Sequence, residues 1–508
     1  MIATYKSLAK GPDTNRFKIR SSEVTFFALT LVIALATYSS LVLTSSLPLI
    51  LITLPLVAYD RAFMFPLFTA IPLAQGAFIT DEIDSDSMAE SIALLTVMPL
   101  LMFDFLKLKS KIVPYRFVIW YVLFGMLVIL GLIVYMQHPE NRRLGESMHE
   151  PSYRLYVRIT FKIIKITFYF IYLKVLINYS LQKNLRTLEY IRKIAPWIVF
   201  MLGVYLVLFG RSQSGAATGD TESLQLGDAH HGAFTSQLCA VGIYMYVTIF
   251  TKGEKWYNKL LAFISLAMMF IMIMQMGSRN GLVCFFLVSC LGLYINLKGK
   301  RIDYQFLVIG SFALIGVIGI IFSLNSPTIQ RAIYMSTVEE GGNRWYYWEA
   351  GIEALKHYPI LGMGGHEPAS IAAVAKYGPG FIDSKVMHNS YLEMAVEYGI
   401  VGALFYIGFL GTVFIWSYRL FIFALKKNHL LLTAPSISFL ILMFSALFVS
   451  RIWETAIWYN ISLVYALCIQ LLYVNWMKKK KRNVVTYSSM GNQIQDAQQK
   501  NVGGLRSV

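Results

Sequence analysis

The sequence predicts an all-α fold: a polytopic integral membrane bundle of about fourteen transmembrane helices with one large external loop subdomain. Three observations predict it. Of 508 residues, 56% are hydrophobic and only 14% charged, with a mean hydropathy of +0.56. Many uninterrupted apolar runs approach the roughly 20 residues a helix needs to cross a hydrocarbon core. In lipid, no water satisfies backbone N–H and C=O groups, so a spanning segment must bond to itself as a helix. The short alternating strands of a barrel are missing from the sequence.

In chain order the spans fall near 24–43, 46–60, 62–80, 89–106, 117–136, 160–181, 195–210, 233–251, 260–276, 280–297, 305–323, 391–418, 430–450 and 455–476. The second is short, because Pro48 and Pro55 interrupt it and Asp60-Arg61 closes it. The N-terminus is polar and basic, and no small-residue cleavage site follows the first apolar run, so a retained anchor is expected there. The organisation reads as a cytoplasmic N-terminus (1–23), N-terminal helices (24–210) and central helices with an external loop (211–323). A large external loop (324–390), C-terminal helices (391–476) and a basic, polar cytoplasmic tail (477–508) follow. The tail's composition is that of a disordered segment.

Lys and Arg in short loops set the orientation. Lys107, Lys109, Lys111 and Arg116 share one connection, and Lys183, Arg186, Arg192 and Lys193 another. Lys252, Lys255 and Lys259 follow, then Lys298, Lys300 and Arg301, then Lys426 and Lys427, then 478-KKKKR-482. With fourteen spans these all fall on the side of Lys18 and Arg20, which is read as the cytoplasm. Much of the net charge of +17 is therefore a topology signal and a contact for anionic headgroups, and it is not read as nucleic-acid binding. Cys239, Cys284, Cys290 and Cys468 lie in apolar runs without disulfide or zinc spacing, so buried packing is expected of them.

The same count places four informative connections outside: 81-DEIDSDSMAE-90, about 137–159, 211-RSQSGAATGDTESLQLGDAHHG-232, and 324–390. The last is large enough for a subdomain. It carries a helical pattern around 344-RWYYWEAGIEALKHY-358, then a Gly-rich turn at 362-GMGGHEP-368, then a polar stretch leading to His388. Asp84-Ser85-Asp86 fits a metal-holding DxD pattern, but acidic residues before a span favour a helix N-terminus in any case. His230 and His231 beside Asp228 are a weak metal signal, since adjacent loop histidines seldom ligate. Arg142, Arg143, Arg154 and Arg158 are read as headgroup contacts. Lys162, Lys165 and Lys174 within the sixth span are unusual, and the i, i+3 spacing of the first two puts them on one face near the outer boundary, where a cavity lining is expected.

Basic residues on the outer side break the rule that orients the chain. Arg211 ends a span and opens a Gly- and Ser-rich loop, Arg279 sits in the break 277-GSRNG-281, and Arg344 starts a helix after 341-GGN-343. Each singly fits an arginine snorkelling to a headgroup. Together, two of them flanked by glycines, they point to an external anion site, because guanidinium forks match phosphate oxygens. No Walker loop or GxGxxG sequence is present to hold a nucleotide. A substrate on this side must bring its own activation, as a polyprenyl diphosphate-linked glycan does. Displacing its diphosphate needs cationic stabilisation of the leaving group and a base for the attacking hydroxyl. His388, with a side-chain type that titrates near neutrality, suits the second task.

The segment 388-HNSYLEMAVEYGIVG-402 resembles the HNxYLxxxxExGxxG signature of the bacterial O-antigen ligase and O-antigen polymerase superfamily. Upstream, 344-RWYYWEAGIEALKHYPILGMGG-365 is similar to its pattern of Arg, aromatic-rich helix and Pro-x-x-Gly-x-Gly. The break 278-SRNG-281 and the loop opened by Arg211 match in order, so the resemblance covers about 200–420. One departure is 228-DAHHG-232, where many members carry an Asn-Pro-Asn-like turn. The resemblance implies a membrane enzyme of the bacterial cytoplasmic (inner) membrane acting at its outer face on undecaprenyl diphosphate-linked glycans. It implies His388 as catalytic base, Arg211, Arg279 and Arg344 as donor diphosphate binders, and no cofactor or metal. Its partners would be the lipid-linked donor, a glycan acceptor, membrane lipids, and the flippase and chain-length regulator of the same pathway.

Were the segment one continuous helix through His388, Leu392 and Gly399 would share its face, while Glu397 would point nearly opposite and Glu393 about 140° away. Asn389 and Glu393, one turn apart, are expected to hydrogen-bond. Glu397 is read as an anchor near the bundle interior. Asn389, Glu393 and Glu397 are thus supporting residues. Gly399 and Gly402 suit close helix packing. The signature does not separate a polymerase, which extends one lipid-linked glycan with another, from a ligase, which moves the chain to lipid A-core or protein. The number of spans favours the polymerase of an O-antigen or exopolysaccharide. A lipid-linked glycan flippase is the alternative of another class, against which the large outer loop with its histidine counts.

Overall fold

A computed structural model describes most of residues 101–138, 152–209, 211–214, 222–225, 231–298, 344–364, 367–380, 387–450 and 455–473. The expected spans before residue 100 and nearly all of 305–323 lie outside the described residues. The described chain is helical apart from one short two-stranded ribbon. In order it runs α1 (Tyr115–Gln137), α2 (Ser152–Asn178), α3 (Leu181–Phe209), β1 (Arg211–Ser214) and β2 (Glu222–Gln225). It continues with α4 (His231–Phe250), α5 (Trp256–Gln275), α6 (Arg279–Leu297), α7 (Arg344–His357) and α8 (Glu367–Tyr377). Last come α9 (Ser390–Lys426), a 3-10 turn (Leu430–Thr433), α10 (Ala434–Ser445) and α11 (Thr455–Cys468), which closes in a π turn (Ile469–Tyr473).

Five of these helices, α1, α4, α5, α6 and α9, are long and apolar enough to cross a membrane, and two shorter apolar stretches cover Leu430–Ser445 and Ile457–Leu472. The protein is a membrane protein. Helix α4 is the axis of the bundle: 83% of its apolar window is buried, against 33–44% for the other four. It packs on α3, α5, α6 and α10. The other four turn rows of large apolar side chains outward, such as Ile119, Val122, Met126, Ile129 and Ile133 of α1. Such a surface is stable against lipid tails. Cys290, expected to be buried, is exposed on α6, while the other three cysteines are buried.

A second seam is aromatic. Trp458 of α11 is 1% exposed and stacks on Tyr169 of α2 at 5.4 Å, with Phe124 of α1 edge-on at 5.1 Å and Phe409 of α9 at 5.5 Å. One indole thus ties four helices, each ring pair adding about 0.5–1.5 kcal/mol.

Helix α3 begins at Leu181, well before the apolar run near 195, because its polar first half is helical too. Pro196 lies inside it. Proline has no N–H to reach the carbonyl four residues back, and that carbonyl, Arg192 O, instead accepts the Thr248 hydroxyl of α4 at 3.3 Å. Nearby, the buried Arg192 guanidinium pairs with Glu189 at 2.8 Å and Glu254 at 2.5 Å.

The helix order alternates the connections between two ends of the bundle. Lys183, Arg186, Lys252, Lys255, Lys298, Lys426 and Lys427 gather at one end. The starts of α4, α6 and α9 and the end of α10 gather at the other. There α7 and α8 form a small helical pair over a core of Tyr347, Ala350, Ala354, Met363, Ala372, Val374 and Met387. Helix α8 lies in the stretch between the Gly-rich turn and His388 that the sequence marks only as polar; its alanines give a weak hydrophobic signal but a strong helical propensity. The loop opened by Arg211 likewise contains an antiparallel β1–β2 ribbon, with Arg211 opposite Gln225.

Candidate functional site

Two breaks in the helical chain start the site. At the first, Gly277 takes φ 68° and turns the chain out of α5. Ser278 then caps α6: its Oγ accepts the Gly281 N–H at 3.0 Å and lies 2.7 Å from Thr235 Oγ1 of α4. Arg279 is therefore the first residue of α6, where the free N–H groups of a helix start favour anions. A side chain at Gly281 would collide with Thr235, so the α4–α6 approach requires glycine there.

At the second break Arg344 is the first residue of α7. Burial lowers the pKa of its guanidinium from the usual arginine value, and the positive charge of Arg279 lowers it further. The two guanidiniums, 65 positions apart in sequence, are thus close enough to repel. Among the described residues neither has a carboxylate partner. Arginine keeps its proton at physiological pH, so the pair is a place that an anion would stabilise.

Tyr347, one turn along α7 from Arg344, lies 6.3 Å from the His388 ring, centroid to centroid. His388 takes a left-handed backbone, φ 53°. For a non-glycine residue this costs on the order of 1–3 kcal/mol and persists only where neighbours over-determine it. They do. The preceding Met387 is buried; its carbonyl accepts the Trp348 indole N–H at 3.0 Å, and its N–H reaches Ser370 Oγ at 3.4 Å. The following Asn389 caps α9, its side-chain oxygen accepting from Tyr391 N at 3.1 Å and Leu392 N at 3.2 Å. Ser390 donates its N–H to Ala446 O at 2.9 Å and its hydroxyl to Val449 O at 2.8 Å.

His388 therefore precedes α9 and is not part of it, so the facing geometry of an unbroken helix does not apply. The expected side-chain bond between Asn389 and Glu393 is replaced by the cap; Glu393, 5% exposed, instead accepts the Ser450 hydroxyl. Glu397 is 4% exposed in the interior, in keeping with an anchor. Two residues later α9 is broken at Gly399, φ 67° and ψ −166°.

That break receives the Gly-rich turn. Met363 N donates to Val396 O at 2.8 Å and Gly364 N to Glu397 O at 3.1 Å. In return Ile400 N donates to Pro359 O at 2.8 Å. Carbonyls and amides freed by the broken helix are thus satisfied by the turn, as burial demands. A Cβ at Gly399 would overlap Ile360 O, and one at Gly362 would lie 2.5 Å from Val396 O. The separated Pro-x-x-Gly-x-Gly and Glu-x-Gly patterns are two halves of one clasp that seats α7 and α8 on the bundle.

Arg279, Arg344 and His388 therefore come together at one end of the bundle. Arg211 opens β1, but its side chain lies outside the described residues, as do Asp84, Asp86, Asp228, His230 and the side chain of His231. Lys162 and Lys165 are half-buried along α2, and Lys174 Nζ lies 4.3 Å from the Phe105 ring centre. Trp348, Ser370, Ser390 and the 446–450 turn escaped the sequence reading. Only the Ser278-to-Gly281 cap spacing had a local signal.

Residues 264–407 match the family model described as O-antigen ligase, which supports the O-antigen ligase and polymerase superfamily. No curated protein matches the chain.

Proposed function

We propose that this membrane protein, which carries a region of the O-antigen ligase and polymerase superfamily, is a glycosyltransferase that polymerises undecaprenyl diphosphate-linked repeat units into a surface polysaccharide. One observation carries the reading. The Arg279 and Arg344 guanidiniums lie within repulsive reach of one another, without a carboxylate partner among the described residues, and Tyr347, one turn along α7 from Arg344, lies 6.3 Å from the His388 ring. Two fixed cations suit a diphosphate, which spreads its charge over several oxygens.

In the proposed step the neutral His388 imidazole takes the proton of an acceptor hydroxyl. That oxygen forms a bond to the anomeric carbon of the donor sugar, the bond from that carbon to the diphosphate oxygen breaks, and undecaprenyl diphosphate departs against the arginines. Asn389 caps the helix behind the base, and Glu393 and Glu397 hold that helix. Arg211 would complete the cationic rim. The cluster of lysines at the opposite end supports an inner-membrane orientation with this site outside and both termini in the cytoplasm. In that orientation 324–390 forms the external loop subdomain.

The match to an O-antigen ligase family favours a second reading, transfer of the lipid-linked glycan to a lipid or protein acceptor. A deletion strain separates the readings by its glycan: single-repeat products indicate a polymerase, and long chains left on the lipid carrier a ligase. Unprocessed units held on the inner leaflet would indicate a flippase and overturn both.

A further inference from the structure

The end of the bundle that holds Arg279 also holds an unusual concentration of buried hydroxyls, and one side-chain amide joins them. Asn280, next to Arg279 in the first turn of α6, donates from Nδ2 to Gly232 O at 3.1 Å and to Ser445 Oγ at 2.8 Å. Its Oδ1 faces the Cys284 thiol at 3.7 Å, in keeping with that orientation of the amide. A single group therefore pins the starts of α4 and α6 to the end of α10. Ser445 donates onward to Ser236 Oγ at 2.9 Å, and Ser236 to Gly232 O at 2.8 Å, closing a ring of bonds.

The residue after Ser445 extends the link. Ala446 O accepts the Ser390 N–H at 2.9 Å, and Ser390 stands two residues beyond His388. Helix α10 packs on both α6 and α9, so the start of each is referenced to the same turn, 445–449. We infer that Asn280 is a positioning residue that sets the separation between the Arg279 guanidinium and the His388 imidazole, acting through Ser445 and the turn that follows it. The inference rests on the reaction proposed above. A displacement of about 1 Å between a bound donor and its base can slow a reaction on the order of 100-fold while binding is retained.

The test uses the full-length protein in liposomes with a lipid-linked donor, comparing Asn280→Ala, Ser445→Ala, the double variant and Ser438→Ala. Ser438 is a buried serine of the same helix as Ser445, about two turns before it, that donates to Ala240 O at 2.6 Å and takes no part in this ring. It reports the cost of losing such a bond without losing the link. Asn280→Ala and Ser445→Ala are each expected to lower kcat about 10- to 100-fold with donor KM within about twofold. The double variant should be no slower than the worse single, as for one shared pathway. Ser438→Ala should lower thermal stability comparably and keep kcat.

Wild-type kcat per folded molecule in Asn280→Ala or Ser445→Ala overturns the inference, as does a Ser438→Ala variant slowed to the same degree. Ser445→Ala carries the test if Asn280→Ala does not fold. His388→Ala run alongside separates the levels: an active His388→Ala removes the reaction itself. An inactive His388→Ala beside an unimpaired Asn280→Ala removes only the positioning role.

Discussion

The amide of Gly364 donates to the carbonyl of Glu397 over 3.1 Å, so a turn at the end of α7 occupies the hydrogen-bonding gap opened where α9 breaks at Gly399. This relationship joins the outer helical pair to the bundle and makes the glycines structural requirements. Gly399→Ala would force a side chain into a left-handed position already filled by Ile360 O. The variant is expected to lose about 1–3 kcal/mol or more. Thermal unfolding in detergent and proteolysis within 344–387 read the loss. Gly408→Ala on the same helix, where a Cβ meets only Trp120 at 3.4 Å, should behave as wild type.

His388→Ala is expected to abolish glycan growth, by roughly 10²–10⁴-fold as for loss of a general base, with expression and membrane insertion intact. Unfolding measurements should show little change, because alanine retains a Cβ and with it the strain of the φ 53° backbone. Full activity in this variant would remove the catalytic assignment.

Arg344→Ala and Arg279→Ala should each raise the apparent KM for the lipid diphosphate donor and lower kcat/KM, and Arg→Lys should recover only part because the planar fork is lost. Loss of either arginine also relieves the mutual repulsion that adds to burial in lowering the Arg344 pKa. Thermal stability of the donor-free protein should therefore hold or rise. Steady-state kinetics with donor and acceptor varied separately decide the matter: an effect confined to the acceptor contradicts the assigned role.

Trp348→Phe keeps the ring but removes the N–H that Met387 O accepts at 3.0 Å. A buried acceptor left unsatisfied costs about 1–3 kcal/mol. Because that carbonyl precedes His388, kcat should fall about tenfold with donor KM little changed. A Trp348→Phe enzyme of wild-type kcat would show that the indole bond does not hold the histidine.

Several site features were legible because they are local. Arg279 and Arg344 announce helix starts through the glycines before them, and Asn389 sits where a cap is favoured, directly before an apolar run. The Asn389 side chain caps α9 in place of the expected bond to Glu393. The orientation that aims Oδ1 at the free N–H groups of the helix start differs from the one that aims Nδ2 at Glu393, and periodicity alone does not rank them. The aromatic-rich pattern of α7 was recognised as a helix, but not that Trp348 reaches Met387, since that bond spans 39 positions. Helix α8 was missed because its apolar face is made largely of alanine.

Read alone, the amino-acid sequence determined that this chain is helical and lies in a membrane, which loops carry its lysines, and which histidine and arginines warrant attention. Those properties follow from local rules: the backbone must satisfy itself in lipid, and charge stays near the surface. The tertiary structure decided what proximity alone can decide. It brought Arg344 within repulsive reach of Arg279, set the Tyr347 ring beside His388, and locked two glycine patterns into one clasp. Each joins helices through contacts whose partners are remote in sequence, and packing, not periodicity, selects them.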